Sequence, residues 1–222
     1  MIHLTLDTDW APESMVAAVL QKLATHNIPA TIFATGPYDC LLQADPKLVQ
    51  VGLHPAVRHI DDLVPAIKSL LAVYPNATAV RTHCLAHASK YWRLFFENGI
   101  KTSSNIFLPG CHVKKPIHYW PGITEHPITF MDDYRITLEG PKMCLADIDI
   151  DTDGLRVIAF HFIHIYLNSS TLEDYNKAKP FLHDEQALAG CIRPGFGVAA
   201  LFEELLMALR SRETGFLVGQ SK

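Results

Sequence analysis

The chain carries no basic surplus: 19 Lys and Arg stand against 23 Asp and Glu, a formal charge of −4 with histidine neutral. A surface built for nucleic acid or an anionic membrane is therefore not expected. No apolar run is long enough to span a bilayer. No basic segment with an apolar stretch and a small-residue cleavage site opens the chain, so no secretory leader is expected. The five cysteines, Cys40, Cys84, Cys111, Cys144 and Cys191, are scattered, odd in number and without a C-x-x-C pair. That excludes a disulfide framework as the expectation, favours a reduced, cytoplasmic compartment, and makes each cysteine a small buried hydrophobe. No internal repeat, low-complexity tract or linker interrupts the 222 residues, so one domain is expected.

What the chain does have is apolar substance, 49% of its residues, enough for one sizeable core. It also has twelve histidines, side chains suited to metal ligation and to acid–base work near neutral pH. Short apolar, β-branched runs at 2–6, 28–35, 48–53, 78–80, 100–107 and 155–162 read as strands. Helical spacing follows at 12–26, 60–71, 89–98, 170–179 and 198–210, with Gly99 supplying a left-handed cap to the third of these. The stretch 108–135, rich in Pro, Gly and His, reads as short strands and loops, and 216–218 as a final short strand. Strands alternating with helices along the first half imply βα units and a mostly parallel sheet.

Polar residues gather where these strands end. Asp7 and Asp9 close the first run, His54 the third, Arg81 and His83 the fourth, and His161 and His164 lie at the end of the run 155–162. Ligands bind at that edge of α/β sheets and barrels. On a strand, Asp7 and Asp9 share a face, and two adjacent carboxylates repel unless a cation sits between them. A metal held by one, with the other left as a base, relieves the cost.

In order along the chain, these segments resemble the polysaccharide deacetylases of the NodB-homology type. Leu4-Thr5-Leu6-Asp7-Thr8-Asp9-Trp10 is similar to the family's T-F-D-D-G motif, and Pro29-Ala30-Thr31-Ile32-Phe33 to its P-A-T-x-F strand. Val51-Gly52-Leu53-His54 resembles E-I-G-x-H, with Gln50 in place of Glu, and Arg81 the arginine of the third motif. Asp7 through Glu13, Gly52-Leu53-His54-Pro55, Arg81-Thr82-His83 and His164 through Asn168 resemble a WbmS-type subgroup linked to bacterial O-antigen gene clusters. The resemblance implies a single-domain α/β fold, a distorted (β/α)7-type barrel. It implies a hydrolase that removes N-acetyl groups from a sugar or carrier-linked saccharide with a divalent metal, Zn2+ foremost. Asp7 would then activate water as base, Asp9 and His54 bind the metal, Arg81 orient the base, and the late histidine protonate the leaving amine.

Departures from the family pattern leave choices open. Four residues, not three, separate His54 from His59, so the third ligand is expected to be His83, with His59 the alternative. D-T-D in place of D-D lets base and ligand exchange roles. His164, next to a polar turn, is preferred over His161 as the acid. Glu125, His126, Asp132 and Asp133 fall where the family often carries a fourth motif with Asp and are candidates by position for lining the site, with a role outside it the default. Trp10, Trp92 and Trp120 are candidates for stacking on a sugar, with core packing the default for Trp92. His112 and His118 are read as surface or substrate-loop groups. The run Asp147, Asp149, Asp151, Asp153 lacks the twelfth-position Glu of a calcium loop and reads as a solvated turn. Two other readings compete: a different metal-dependent amidohydrolase or phosphoesterase on an α/β barrel, and a deacetylase-like glycan-binding protein that has lost activity.

Overall fold

The apolar runs become strands of one curled sheet, seen in a computed structural model that describes residues 1–120, 122–138 and 143–218. In chain order the elements are β1 (Ile2–Asp7), α1 (Glu13–His26), β2 (Ala30–Ala34), α2 (Asp39–Leu42), β3 (Val49–Leu53), α3 (Leu63–Val73) and β4 (Ala79–Val80). There follow α4 (Ser89–Glu97), β5 (Thr102–Ser103), β6 (Ile117–Tyr119), β7 (Ile123–Glu125), β8 (Phe130–Met131) and α5 (Asp132–Thr137). The last are β9 (Arg156–His161), α6 (Phe162–Leu167), α7 (Leu172–Ala178), α8 (Glu185–Ala189) and α9 (Val198–Leu209).

The strand order is β6-β7-β5-β4-β3-β2-β1-β9-β8, and every neighbouring pair is parallel except β6 with β7. Beyond β5, Phe107 bridges Ile128 just ahead of β8. The sheet is thereby curled into a half-barrel with helices outside it, in keeping with the distorted (β/α)7-type barrel that the family resemblance implies. Side chains alternate between two environments. Leu4 and Leu6 on β1, Ile32 on β2 and Ile158 and Phe160 on β9 belong to the large core beneath the helices. Phe33, Ala79, Val157 and Ala159 belong to a smaller apolar cluster on the other face. That face also carries buried Thr5, Asp7 and Arg81, so the barrel interior is partly polar.

Packing, more than capping, fixes the helices. Gly197 precedes α9 and offers it no side-chain cap. A good cap is worth about 1 kcal/mol. The six buried side chains Val198, Leu201, Phe202, Leu205, Leu206 and Leu209 are worth roughly 1.5–3 kcal/mol each. Burial wins. The start of α9 is instead held by Asn168, in left-handed backbone at φ 52°. Its side chain donates to the carbonyls of Arg193 and Gly195 and accepts from the amide of Ala199. A Cβ on Gly197 would come within 2.2 Å of the Asn168 carbonyl oxygen, which only glycine avoids.

Several elements differ from expectation. The strand expected over 100–107 is only Thr102–Ser103, because Ser104 and Asn105 turn their polar groups to the site described below. The helix expected from residue 60 begins as a 3-10 turn, Ile60–Asp62. Phe216–Val218 form no strand; the terminal segment pairs through a bridge from Thr214 to Ile2. All five cysteines are free, but Cys84, Cys111 and Cys144 are exposed and not packed hydrophobes. In the acidic run, Asp149 pairs with Arg156 at 2.8 Å and Asp151 pairs with Arg212, so these carboxylates clamp the turn before β9. Among the described residues no helix is long and apolar enough to cross a membrane.

Two buried histidines make a testable contribution to stability. Burial pushes His126 down to about 4, aided by His3 and His118, and pushes His164 down to about 4. Both are neutral in the fold at pH 5, while an unfolded histidine takes up a proton below about pH 6.5. The unfolded state then binds more protons, so stability falls as pH drops from about 6.5 toward 4. For each histidine the loss between pH 7 and pH 5 is about 2 kcal/mol. Urea melts at the two pH values are expected to show His126→Phe losing about 2 kcal/mol less than the wild type; equal losses would refute a neutral buried His126.

Candidate active site

The strand register builds the site's floor. Asp7, the last residue of β1, pairs with Phe33 of β2 on one side and with His161 of β9 on the other. Its carboxylate is buried, and Oδ1 accepts a hydrogen bond from Arg81 Nη1 at 2.9 Å. Arg81 follows β4 and is completely buried. Its Nη2 donates to Thr5 Oγ1 and Ser104 Oγ at 2.9 Å, and its Nε to the Ser104 carbonyl at 3.1 Å. The guanidinium also lies over the Phe33 ring, 4.4 Å from its centroid. Phe33 can sit there because Gly52, beside it in β3, has no side chain; a Cβ would come within 2.7 Å of the ring.

Asp9 reaches the site by another route. The strand ends at Asp7, and Asp9 and Trp10 turn the chain with φ of 41° and 59°. These left-handed values are costly for residues with side chains. The turn brings Asp9 Oδ1 to 3.0 Å from His54 Nε2 and 3.1 Å from His83 Nδ1. His54 continues β3, its amide bonded to the Ala34 carbonyl. His83 sits ahead of a second left-handed pair, Cys84 and Leu85 at φ 58° and 52°. Donor atoms of Asp9, His54 and His83 lie within 4.8 Å of one another.

A brace behind the site holds the His83 segment. Glu125 Oε1 accepts from the amides of Asn105 and Ile106. Asn105 Oδ1 in turn accepts from the amide and hydroxyl of Thr82. Burial pushes the Glu125 carboxyl up.

His161 completes the set. Its Nε2 faces Asp9 Oδ2 at 3.3 Å and Asp7 Oδ2 at 3.8 Å. Its Nδ1 is held by Asp132 Oδ1 at 2.7 Å, and Asp132 Oδ2 accepts the His161 amide. Burial pulls this imidazole down, but the carboxylates of Asp132, Asp9 and Asp133 outweigh burial and hold it well above the usual histidine range. For Asp9, burial pushes upward; His161 and the contacts from His54 and His83 outweigh it and hold the carboxyl well below the usual range.

Asp7, Asp9, His54, Arg81 and His83 are thus brought together. His59 is not: it is exposed at the start of the 3-10 turn, its amide bonded to Asp62. The longer spacing carries it past the cleft. His164 lies on α6, buried, with Nδ1 3.3 Å from Ser169 Oγ and its ring edge-on to His161 at 5.6 Å. The β9 register, not proximity to a polar turn, decides which histidine faces Asp7, and it is His161. Of the fourth-motif group, Asp132 and Asp133 reach the site, Glu125 braces it, and His126 packs against His3 instead. Thr5, Thr82, Ser104 and Asn105 were not expected; the unbroken polar run Thr102-Ser103-Ser104-Asn105 in an expected strand was the signal for the last two. Trp10 is exposed and edge-on to His83 at 4.9 Å. Trp92 stacks on Tyr119 at 3.9 Å.

The cleft over these groups has a volume of about 300 Å³, at the small end for ligand sites. A larger concavity of about 790 Å³ opens among Met1, Pro29, Leu155 and Phe216, toward the opposite ends of the strands. It lacks the convergent carboxylates and imidazoles, so chemistry is assigned to the smaller cleft.

Comparison with known proteins agrees with the barrel fold. The family model described as WbmS-like polysaccharide deacetylase matches residues 4–179. No curated protein matches the chain. Among solved structures, a candidate polysaccharide deacetylase involved in O-antigen biosynthesis, WbmS of Bordetella bronchiseptica, is 25% identical with a TM-score of 0.80, covering 93% of this chain and 90% of that one. A candidate polysaccharide deacetylase of Mycobacterium smegmatis is 14% identical with a TM-score of 0.51, covering 100% and 93%. The 4-alpha-glucanotransferase of Thermococcus litoralis, 10% identical with a TM-score of 0.56, covers 97% of this chain and 37% of that one. The last two show likeness of fold alone.

Proposed function

Because the chain belongs to the WbmS-like polysaccharide deacetylase family, we propose that it is a metal-dependent N-deacetylase acting on an acetamido sugar during synthesis of a bacterial surface polysaccharide. One observation carries this reading: a carboxylate and two imidazoles converge beside an arginine-held Asp7 and an aspartate-held His161. The surface-polysaccharide context is drawn from the relative in Bordetella bronchiseptica. The five free cysteines support a reducing, cytoplasmic setting.

Asp9, His54 and His83 fit a catalytic divalent cation. One carboxylate oxygen and two ring nitrogens are the donors a catalytic zinc takes from protein, with a further position left for substrate. When bound, such an ion supplies Lewis acidity, making water easier to deprotonate and polarising a carbonyl.

The chain's own groups handle the protons. Asp7, fixed in direction by Arg81, takes a proton from the attacking water. The water oxygen bonds to the acetyl carbon as the carbon–nitrogen bond breaks. His161, its Nδ1 engaged by Asp132, presents Nε2 to the cleft and gives its proton to the departing nitrogen. Acetate leaves and the sugar keeps an amine. His161 takes the acid role in place of His164 because only His161 faces both carboxylates.

Elemental analysis of the zinc-reloaded protein tests the ligand set. About one divalent ion per chain is expected in the wild type and in His59→Ala. His54→Ala and His83→Ala are expected to lose it, together with acetate release from an acetamido sugar. A wild type that holds no metal after reloading would remove the hydrolase reading and leave a glycan-binding one. Phosphate release without acetate release would favour a phosphoesterase.

A further inference from the structure

The larger concavity, of about 790 Å³, lies where β1, β2 and β9 begin, at the far ends of the strands from the catalytic cleft. Its volume falls within the range of small-molecule sites. Its walls are of two kinds. Leu155 and Leu217, both buried, belong at once to its lining and to the small apolar cluster inside the barrel. Half-buried Pro29 and Phe216 extend this apolar wall. The other kind is cationic: Lys47, Lys114 and Lys115 also line the concavity, and all three are exposed.

These lysines have no counter-charge. No Asp or Glu lines the concavity. Of the acidic residues nearest in sequence, Asp45 accepts from the Lys47 amide, and neither Asp153 nor Glu213 belongs to the lining. Among the described residues the lysines that form ion pairs are Lys22 and Lys177, on the helices. Three unpaired positive charges around an apolar hollow stand out in a chain whose net charge is −4.

Charge complementarity then sets the ligand's chemistry. An inorganic anion leaves the apolar wall against water, and a neutral hydrocarbon leaves the lysines without a partner. A molecule with an anionic head and an apolar tail satisfies both. Three lysines outnumber the single charge of a carboxylate, whereas a phosphate monoester carries about −1.5 to −2 at pH 7. A flat anionic membrane is the poorer match, because it cannot enter a hollow and the net-acidic chain offers it little long-range attraction.

We propose that this concavity is a binding site for a phosphorylated hydrocarbon chain, whose apolar tail enters toward Leu155 and Leu217 and whose phosphate meets Lys47, Lys114 and Lys115. Because the site opens away from the catalytic cleft, its ligand and a sugar can be held at once.

Calorimetric titration of the full-length protein with octyl phosphate, kept below the concentration at which it forms micelles, reads the binding directly. One saturable site is expected. Hexyl phosphate is expected to bind roughly 10-fold more weakly, the worth of two buried methylenes. Octyl glucoside, with the same tail and no charge, is expected to bind about 10-fold more weakly than octyl phosphate, the sum of three exposed charge contacts. Inorganic phosphate, with no tail, is expected to bind more weakly still. The triple variant Lys47→Glu, Lys114→Glu, Lys115→Glu alters exposed positions alone and is expected to weaken octyl phosphate by about 10-fold or more, leaving octyl glucoside unchanged. Phe216→Ala is expected to weaken both amphiphiles. No saturable binding, binding no tighter than that of octyl glucoside, or an affinity that the triple variant leaves unchanged overturns the proposal. A wild type that does not bind octyl phosphate but sediments with phosphatidylglycerol vesicles assigns the lysines to a membrane surface and overturns it as well. The outcome stands whether or not the cleft releases acetate.

Discussion

Arg81→Met is expected to cost about 3–5 kcal/mol of folding stability, the range for removing one partner of a buried ion pair. The size follows from burial. Arg81 has no exposed surface, and its loss strands Asp7, Thr5 Oγ1 and the Ser104 groups without the donors they now share. Arg81→Lys is expected to rescue little, because an ammonium cannot repeat the planar fork that reaches three residues and stacks on Phe33. Urea unfolding of the metal-free proteins measures this without interference from ligand binding. The double variant Arg81→Met, Asp7→Leu removes the stranded charge as well, and is expected to recover much of the stability while remaining inactive. A loss below about 1 kcal/mol in Arg81→Met would show that the pair's desolvation cancels its attraction even after one partner is gone.

Asp7→Asn is expected to lower kcat by roughly 10²- to 10⁴-fold, the usual worth of a positioned general base, while metal content stays at the wild-type level. The contrast with Asp9→Asn, expected to lose metal and activity together, separates the two aspartates of the D-T-D motif. The separation is geometric. Asp7 is tied to the sheet and to Arg81, whereas Asp9 contacts both His54 and His83. If Asp7→Asn sheds its metal in step with its rate, Asp7 is a ligand and the base must be sought elsewhere. His161→Ala is expected to fall in the same 10²- to 10⁴-fold range, with less loss for substrates whose leaving group needs no proton.

The fold was legible because parallel strands buried on both faces leave near-continuous apolar runs in sequence, as in Ile28 through Ala34 and Leu155 through Phe162. Strand ends were legible for the same reason: a polar or charged residue closes each apolar run, as Asp7, His54 and Arg81 do. What the sequence concealed were relations between strands. Whether His161 or His164 meets Asp7 depends on the register of β9 against β1, which alternation within β9 alone does not reveal. The brace from Glu125 through Asn105 to Thr82 joins residues up to 43 positions apart through polar groups of ordinary type. Asp9 was expected on the strand face beside Asp7. It arrives by a left-handed turn that neither Asp9 nor Trp10 announces, because glycine is the residue usually found there.

That turn divides the site into two mechanical parts. Asp7 and His161 end hydrogen-bonded strands, and Arg81 is locked by its bonds to Asp7, Thr5 and Ser104. Asp9 and His83 stand instead on short turns that include or adjoin left-handed residues. In the proposed reaction the spacing between proton acceptor and proton donor would therefore belong to the barrel, while two of the three proposed metal ligands, Asp9 and His83, would belong to its connections. On that reading, ions of different radius would be fitted by small adjustments of the two turns, leaving the spacing of Asp7 and His161 unchanged.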